Sequence, residues 1–310
     1  VKQLFFIVGP TATGKSELAA DVARETGAEI ISADAFQIYR GLNLLTAKPD
    51  AATLAQAPHH LIGTMSISEE MNAEKFRRAA LDKIEEINSR GKLAIVVGGS
   101  GLYVKVLTHG LSRTPPADAK LRAEVNKLTL EQLQKKLVDL DSETARKIDL
   151  KNRRRVARAL EICLLTGKPL SMQRGETVAA AAGRGPRSAS AATAGVFVLR
   201  NRDDLHARIN QRVEAMFEKG VIEEVRAIGE IGPTSAKTIG LREIEEHLEG
   251  KMSMQQCVAA IQQVTRQYAK RQLTWFRHQT SFEQLNLSLL TQKEAVERIS
   301  QRVSLVRVKG

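Results

Sequence analysis

The sequence predicts an α/β protein, a parallel sheet flanked by helices with an all-helical domain inserted. Three observations carry that prediction. A glycine loop, Gly9-Pro10-Thr11-Ala12-Thr13-Gly14-Lys15-Ser16, stands between a short apolar strand and a helix. A second apolar strand, Leu93-Ala94-Ile95-Val96-Val97, runs into a second glycine loop. The pattern from 117 to 166 is helical without β-branched runs, and a strand returns at Val196-Phe197-Val198-Leu199. Strands that are apolar throughout belong to parallel sheets covered on both faces. The predicted organisation is a P-loop NTPase-like core over 1–113, a helical insertion over 114–195, a second, mostly helical part of the core over 196–285, and a modest appendage over 286–310.

The first strand is Leu4-Phe5-Phe6-Ile7-Val8. The loop after it has the form G-x-x-x-x-G-K-S, in which successive backbone N–H groups and a helix N-terminus point at a bound anion. Gly9, Thr11, Ala12, Thr13 and Gly14 supply that cradle, Lys15 neutralises diphosphate oxygens and Ser16 holds a magnesium ion. The motif implies a di- or triphosphate ligand and says little about its fate. Leu18, Ala19, Val22 and Ala23 form the inner stripe of the helix, which ends at Gly27. A second strand, Glu29-Ile30-Ile31-Ser32, then delivers Asp34 to the carboxyl edge of the sheet, where ligands of open α/β folds bind. An Asp after a strand is also an ordinary cap or turn former. Its location here favours a catalytic or metal role.

Residues 35–72 lack a long periodic segment, and Arg40-Gly41, Lys48-Pro49 and His59-His60 mark loops. The paired histidines have no Asp, Glu or Cys at ligand spacing, so they read as structural or substrate-contacting. Asn72 caps a helix with Phe76, Ala80, Ile84 and Ile87 inside and Gly91 at its end. The strand after it ends in Gly98-Gly99-Ser100-Gly101 rather than in an acid, which argues against ordinary ATP hydrolysis. Ser100 offers a hydroxyl to the same crevice.

In the insertion, Asn152-Arg153-Arg154-Arg155-Val156-Ala157-Arg158 opens a helix with Val156, Leu160 and Cys163 or Leu164 inside and Gly167 at its end. Arginines at a helix N-terminus oppose the macrodipole, a cost that suggests a phosphate or RNA contact. Ala179–Ala194 reads as a mobile connector. Leu205, Ile209, Val213 and Phe217 form the next helical stripe, with Arg208 and Arg212 on another face within reach of a diphosphate. Ser253 and Gln256 make a capping box for the last long helix. Ile261, Val264, Tyr268 and Trp275 are spaced for burial, and Arg266, Lys270 and Arg277 form a basic stripe suited to nucleic acid.

The chain has 310 residues, 43% of them hydrophobic, with 47 Lys and Arg against 35 Asp and Glu. A net charge of +12 in a phosphate-binding protein points to a polyanionic partner, nucleic acid first. Cys163 and Cys257 stand far apart among apolar positions and read as free thiols of a reducing compartment. The five-residue apolar run at the start is too short for a signal peptide or a membrane span. A cytoplasmic monomer with no membrane association is expected.

Eight segments, in order, resemble one family: GPTATGKS at 9–16, ISADAFQIYRGL at 31–42, TAKP at 46–49, HHLI at 59–62, IVVGGSGLYVK at 95–105, RALEICLLTGKPLS at 158–171, the spaced Arg-Ile-Asn and Arg of 208–212, and TRQYAKRQLTWFR at 265–277. Together they are similar to the bacterial tRNA dimethylallyltransferases, which prenylate the adenosine 3′ of the anticodon. The resemblance implies that the P-loop holds the diphosphate of dimethylallyl diphosphate as a leaving group. It makes Asp34 the general base for the adenine amine and places Ser100, Ala35, Phe36 and Gln37 at the target nucleotide. It assigns Arg154, Arg155, Val156, Ala157 and Arg158 to the anticodon stem-loop, with Arg266 and Lys270 as further tRNA contacts. Several positions depart from the family pattern. Ala35-Phe36 stands for Ser-Met, Leu45 for Gly, Gly63 for Asp, Met71-Asn72 for Tyr-Ser, and Ser100 for Thr. These bear on rate and substrate preference more than on reaction type. Two other functions compete: prenylation of free adenine nucleotides, which needs no basic insertion, and an RNA-binding nucleotide switch that transfers nothing.

Overall fold

The computed structural model describes residues 3–112, 115–116, 118–173, 177–178 and 194–308. They form two compact units, one of residues 3–108 with 194–308 and the other of residues 109–178. The connector expected at 179–194 lies outside the described residues, Ala194 excepted.

Strand β1 (Leu4–Val8) is wholly buried and leads through the glycine loop into α1 (Lys15–Thr26), which buries the expected Leu18, Ala19, Val22 and Ala23. Strand β2 (Glu29–Ser32) follows, then the short α2 (Ala51–Ala55). The two histidines expected in a loop form a short edge strand, β3 (His59–His60), parallel to β2. Its register places His60 Nε2 2.8 Å from the Glu29 carboxylate, which Arg90 and Lys92 also bind. Burial opposes ionisation of Glu29, but those three donors outweigh it and hold the carboxyl down at about 2. The pair of histidines is thus part of the sheet edge. Helix α3 (Ala73–Ser89) starts at Asn72, whose side chain accepts from the N–H groups of Glu74 and Lys75, and buries Phe76, Ala80, Ile84 and Ile87 as its pattern predicts. Strand β4 (Ala94–Gly98) is fully buried, and α4 (Gly101–Thr108) begins within the second glycine loop.

The second unit opens with β5 (Leu111–Ser112) and continues through α5 (Ala119–Lys127), α6 (Leu130–Leu140), α7 (Ser142–Lys147) and α8 (Arg153–Thr166). A short β6 (Thr177–Val178) pairs antiparallel with β5, a pairing that the helical pattern did not reveal. Val125, Leu133, Leu137, Val156, Leu160 and Cys163 make the core of this unit, whereas Leu164 is exposed. Two buried acids organise it. Asp141 accepts from Thr144 N–H at 2.9 Å and from both the N–H and the hydroxyl of Ser171 at 2.8 Å. Glu161 binds Arg122 and Arg158 at 3.0 Å. A buried carboxylate is tolerated only with such partners.

The chain then adds β7 (Gly195–Leu199), α9 (Arg202–Glu218), α10 (Val221–Arg226), α11 (Leu241–Leu248), α12 (Met254–Gln279), β8 (Glu283–Asn286) and α13 (Gln292–Val308) to the first unit. Among the described residues one sheet has six parallel strands in the order β3-β2-β4-β1-β7-β8. The reading of 286–310 as an appendage is overturned. Strand β8 extends the sheet beside β7, and Ala295, Val296, Ile299 and Val303 of α13 join the core cluster that contains Leu18, Val22 and Ile95. A parallel sheet needs cover on both faces, and α13 packs with α1 on one of them.

Two helical stripes also differ from expectation. Met216, not Phe217, is the fourth buried residue of α9. Helix α12 buries Cys257, Ile261, Thr265, Ala269, Gln272 and Phe276, while Val264, Tyr268 and Trp275 are only partly buried. The true seam contains Thr265 and Gln272, polar residues that a hydrophobic pattern passes over.

Candidate active site

The site is built where the carboxyl ends of β1, β2, β4 and β7 meet. The glycine loop leaves β1 at Gly9, where any side chain would collide with the Val198 carbonyl, its Cβ falling 2.2 Å from the oxygen. Ala12 and Gly14 then take positive φ of 64° and 89°, which turns the loop into a concavity of N–H groups. Three arginines from the other side of the core hold the outward-facing oxygens of this loop. Arg208 Nε donates to Ala12 O at 2.9 Å, Arg200 Nε to Thr13 O at 2.8 Å, and Arg212 to Thr11 Oγ1 at 2.7 Å. The expected Arg208 and Arg212 are therefore at the loop. Arg200 was missed, although its place just after β7 is the same signal that singled out Asp34.

Burial sets the ionisation of two of the cations at this loop. Burial pulls Lys15 down to about 8, against the raising influence of the Asp34 charge and with the lowering influence of Arg212. Its Nζ rests 3.3 Å from Pro10 O. Burial also brings Arg212 down to about 10, and its Nε is sealed from solvent without a partner. A dianion entering this concavity would relieve both.

Asp34 follows β2, and its Oδ1 accepts from the N–H groups of Phe36 at 2.9 Å and Gln37 at 3.3 Å. Oδ2 is left without a hydrogen bond among the described residues. Ser100 Oγ accepts the Ala35 N–H at 2.9 Å. Burial, and then the nearby Asp34 charge, push the Tyr268 phenol above its ordinary range. Ser100 therefore fixes the backbone next to Asp34.

Two cavities meet at Asp34. The larger, about 520 Å³ including space open to solvent, is lined by Thr11, Asp34, Phe36, Arg212 and Tyr268 together with the apolar Leu45, Val213, Met216, Ile239 and Ile261. The smaller, about 340 Å³ on the same measure, is lined by Lys15, Ser16, Ser32 and His59 with Ile30, Pro49, Ile62 and Val97. Asp34 lines both. Of the departures noted above, Phe36 and Leu45 line the larger cavity. Met71 is buried with its N–H on the Tyr39 hydroxyl at 3.2 Å, and Gly63 adjoins Lys48. The Lys48 ammonium instead binds Tyr39 O, Gly41 O and Asn43 Oδ1, at 2.5, 2.6 and 2.8 Å.

The residues expected at nucleic acid stand in different surroundings. The Gln37 amide is turned inward, donating to Thr46 O and Ala47 O. Val156 and Ala157 are core residues of the helical unit, 0% and 7% exposed, so their side chains are packing groups. Arg158 braces Glu161 and donates to Pro115 O at 2.7 Å. Arg266 donates to Asn210 Oδ1 at 2.7 Å. Arg154, Arg155 and Lys270 are exposed.

The chain is similar to known proteins over most of its length. The family model described as IPP transferase matches residues 37–279. A tRNA dimethylallyltransferase of Akkermansia muciniphila is 41% identical over 283 residues, covering 91% of this chain and 93% of the relative. One from Caulobacter sp. is 40% identical over 287 residues, covering 90% of each. Among solved structures, the full-length tRNA isopentenylpyrophosphate transferase of Bacillus halodurans superposes with a TM-score of 0.70 at 32% identity, covering 100% of this chain and 98% of that one. A eukaryotic dimethylallyltransferase acting on tRNA gives 0.76 at 26% identity, over 92% of this chain and 74% of that one. A family model over most of the chain, with relatives about 40% identical over nine-tenths of it, shows that the chain belongs to the IPP transferase family.

Proposed function

We infer that the chain transfers the dimethylallyl group of dimethylallyl diphosphate to the exocyclic amine of the tRNA adenosine 3′ of the anticodon. The observation that supports this reading is Asp34, which lines both the cavity that includes Lys15 and Ser16 and the one with Leu45, Val213, Met216 and Ile261 in its lining. The C–O bond of the allylic diphosphate breaks and its electron pair leaves with the diphosphate. The amine forms the new C–N bond, and its proton passes to Asp34. The adenine amine is a weak nucleophile, and a positioned base contributes about 10²–10⁴-fold to such a step. Lys15, the loop N–H groups and the arginines stabilise charge on the departing diphosphate. The target base must leave its stack to reach a recessed carboxylate, at a few kcal/mol. The basic excess of the chain provides the attraction for RNA, through exposed residues such as Arg154, Arg155 and Lys270.

Magnesium fits the donor set at the loop. No group of three or more His, Cys, Asp or Glu is arranged for a metal among the described residues. The Ser16 hydroxyl, with the donor's own phosphate oxygens, would hold the ion, as hard cations at phosphate sites are commonly held. Bound there, it would supply further charge neutralisation at the leaving group. No helix among the described residues is long and apolar enough to cross a membrane.

The test is mass spectrometry of nucleosides from unmodified tRNA incubated with the protein, dimethylallyl diphosphate and magnesium, beside a tube holding AMP. A dimethylallyl adduct on one adenosine of the tRNA alone is expected. Equal turnover of AMP would replace this reading with a free-nucleotide transferase. RNA-stimulated ATP hydrolysis without an adduct would replace it with a nucleotide switch.

A further inference from the structure

One buried side chain joins the phosphate loop to the loop that carries Ser100. Gln272 of α12 is 5% exposed. Its Oε1 accepts the Thr11 N–H at 2.8 Å, and its Nε2 donates to Gly99 O at 2.9 Å. The fit is close: a Cβ on Gly99 would lie 2.2 Å from that Nε2. Each end of the amide adjoins a working group. Thr11 Oγ1 receives Arg212 and faces the larger cavity. Gly99 precedes Ser100, whose hydroxyl fixes the Ala35 N–H beside Asp34.

We propose that Gln272 is a positioning residue that sets the separation between the departing diphosphate and Asp34. The inference rests on the reaction read above. A carboxamide has a fixed span, one donor end and one acceptor end, and here both are used. It also engages the Thr11 N–H, which leaves the following N–H groups of the loop to the anion. Without it, a loop N–H and a carbonyl lose their partner in a buried place, and the two loops relax to find others. Displacement at an allylic carbon requires donor, amine and base in one alignment, and a misplacement of about 1 Å costs on the order of 10²-fold. The diphosphate keeps its own contacts with Lys15 and the loop, so binding survives while turnover falls.

The test is Gln272→Met, which keeps length and removes both hydrogen bonds. Steady-state transfer to tRNA is measured with active-site titration, together with KM for each substrate. We expect kcat to fall 10- to 100-fold with both KM values within threefold of the parent protein. An unchanged kcat, or a fall matched by the loss of titratable sites, overturns the proposal. If the Met variant fails to fold, Gln272→Glu, which keeps the acceptor for Thr11 and loses the donor to Gly99, is measured and judged in the same way. Amide hydrogen exchange on the parent protein reads the contact directly. The Thr11 amide should exchange far more slowly than solvent-exposed loop amides, and exchange at their rate also overturns the proposal. The exchange result does not depend on which reaction the protein performs. Failure of the parent protein to prenylate tRNA would count against the reaction alone.

Discussion

Replacing Asp34 by Asn separates its chemical role from its structural one. The carboxylate does two things in this fold. Its Oδ1 ends a turn by accepting the N–H groups of Phe36 and Gln37, and it brings a negative charge to a residue that lines both cavities. Asn keeps an oxygen for the turn and loses both charge and basicity. Ala loses the turn as well and strands two N–H groups, each worth about 1–3 kcal/mol if it stays unsolvated. If Asp34 is the base, Asp34→Asn should lower single-turnover transfer by about 10²–10⁴-fold, or about 2.7–5.4 kcal/mol of barrier. Its thermal midpoint should stay close to that of the parent protein, while that of Asp34→Ala should drop. Donor affinity should change little. The Asp34 charge supports protonation of Lys15, but the incoming diphosphate supports it more strongly at closer range. The assay is rapid-quench transfer to tRNA, with donor binding measured separately by equilibrium titration. Turnover of the Asn variant within threefold of the parent would remove Asp34 from the chemistry. A large loss of donor affinity with intact single-turnover chemistry would place it in the diphosphate site instead.

Three further outcomes follow from the geometry. Lys15 is held at about 8 chiefly by burial, so the free protein carries its full charge below that pH and loses it above. Affinity for inorganic diphosphate should then be flat below pH 8 and fall about tenfold per unit above it, whereas Lys15→Arg, charged throughout, should lack that break; titration calorimetry across the range decides. Arg154→Ala with Arg155→Ala should weaken tRNA binding and reduce the slope of log affinity against log salt by about 1–2, read by filter binding, whereas Arg158→Ala should instead destabilise the helical unit by about 1–3 kcal/mol through its buried partner Glu161. Ile299→Ala removes a fully buried side chain of α13 and should cost about 2–5 kcal/mol in urea unfolding, and a change below 0.5 kcal/mol would return α13 to the status of an appendage.

What could be read from the sequence was whatever is encoded locally. The first strand, its glycine loop and the following helix are contiguous, so their chemistry was visible in 4–26. Asp34 could be placed because the end of a parallel strand is a position in the fold as well as in the chain. The caps at Asn72 and Ser253 and the inner stripe of α3 obeyed short-range rules and came out as expected. Tertiary structure decided what depends on partners distant in sequence. Gln272 gave no local signal because its two partners lie 261 and 173 residues away. Arg200 stood at the end of a strand, but its partner, Thr13 O, is 187 residues away and was supplied by the fold. Arg158 looked like an RNA contact because the buried acid and the carbonyl that claim it were unseen. The last helix lacked a strong apolar stripe, yet the sheet required its cover and α1 supplied the neighbour. Periodicity reports which side chains prefer to leave water. It does not report which polar groups will be buried, because that depends on whether the fold brings each of them a partner.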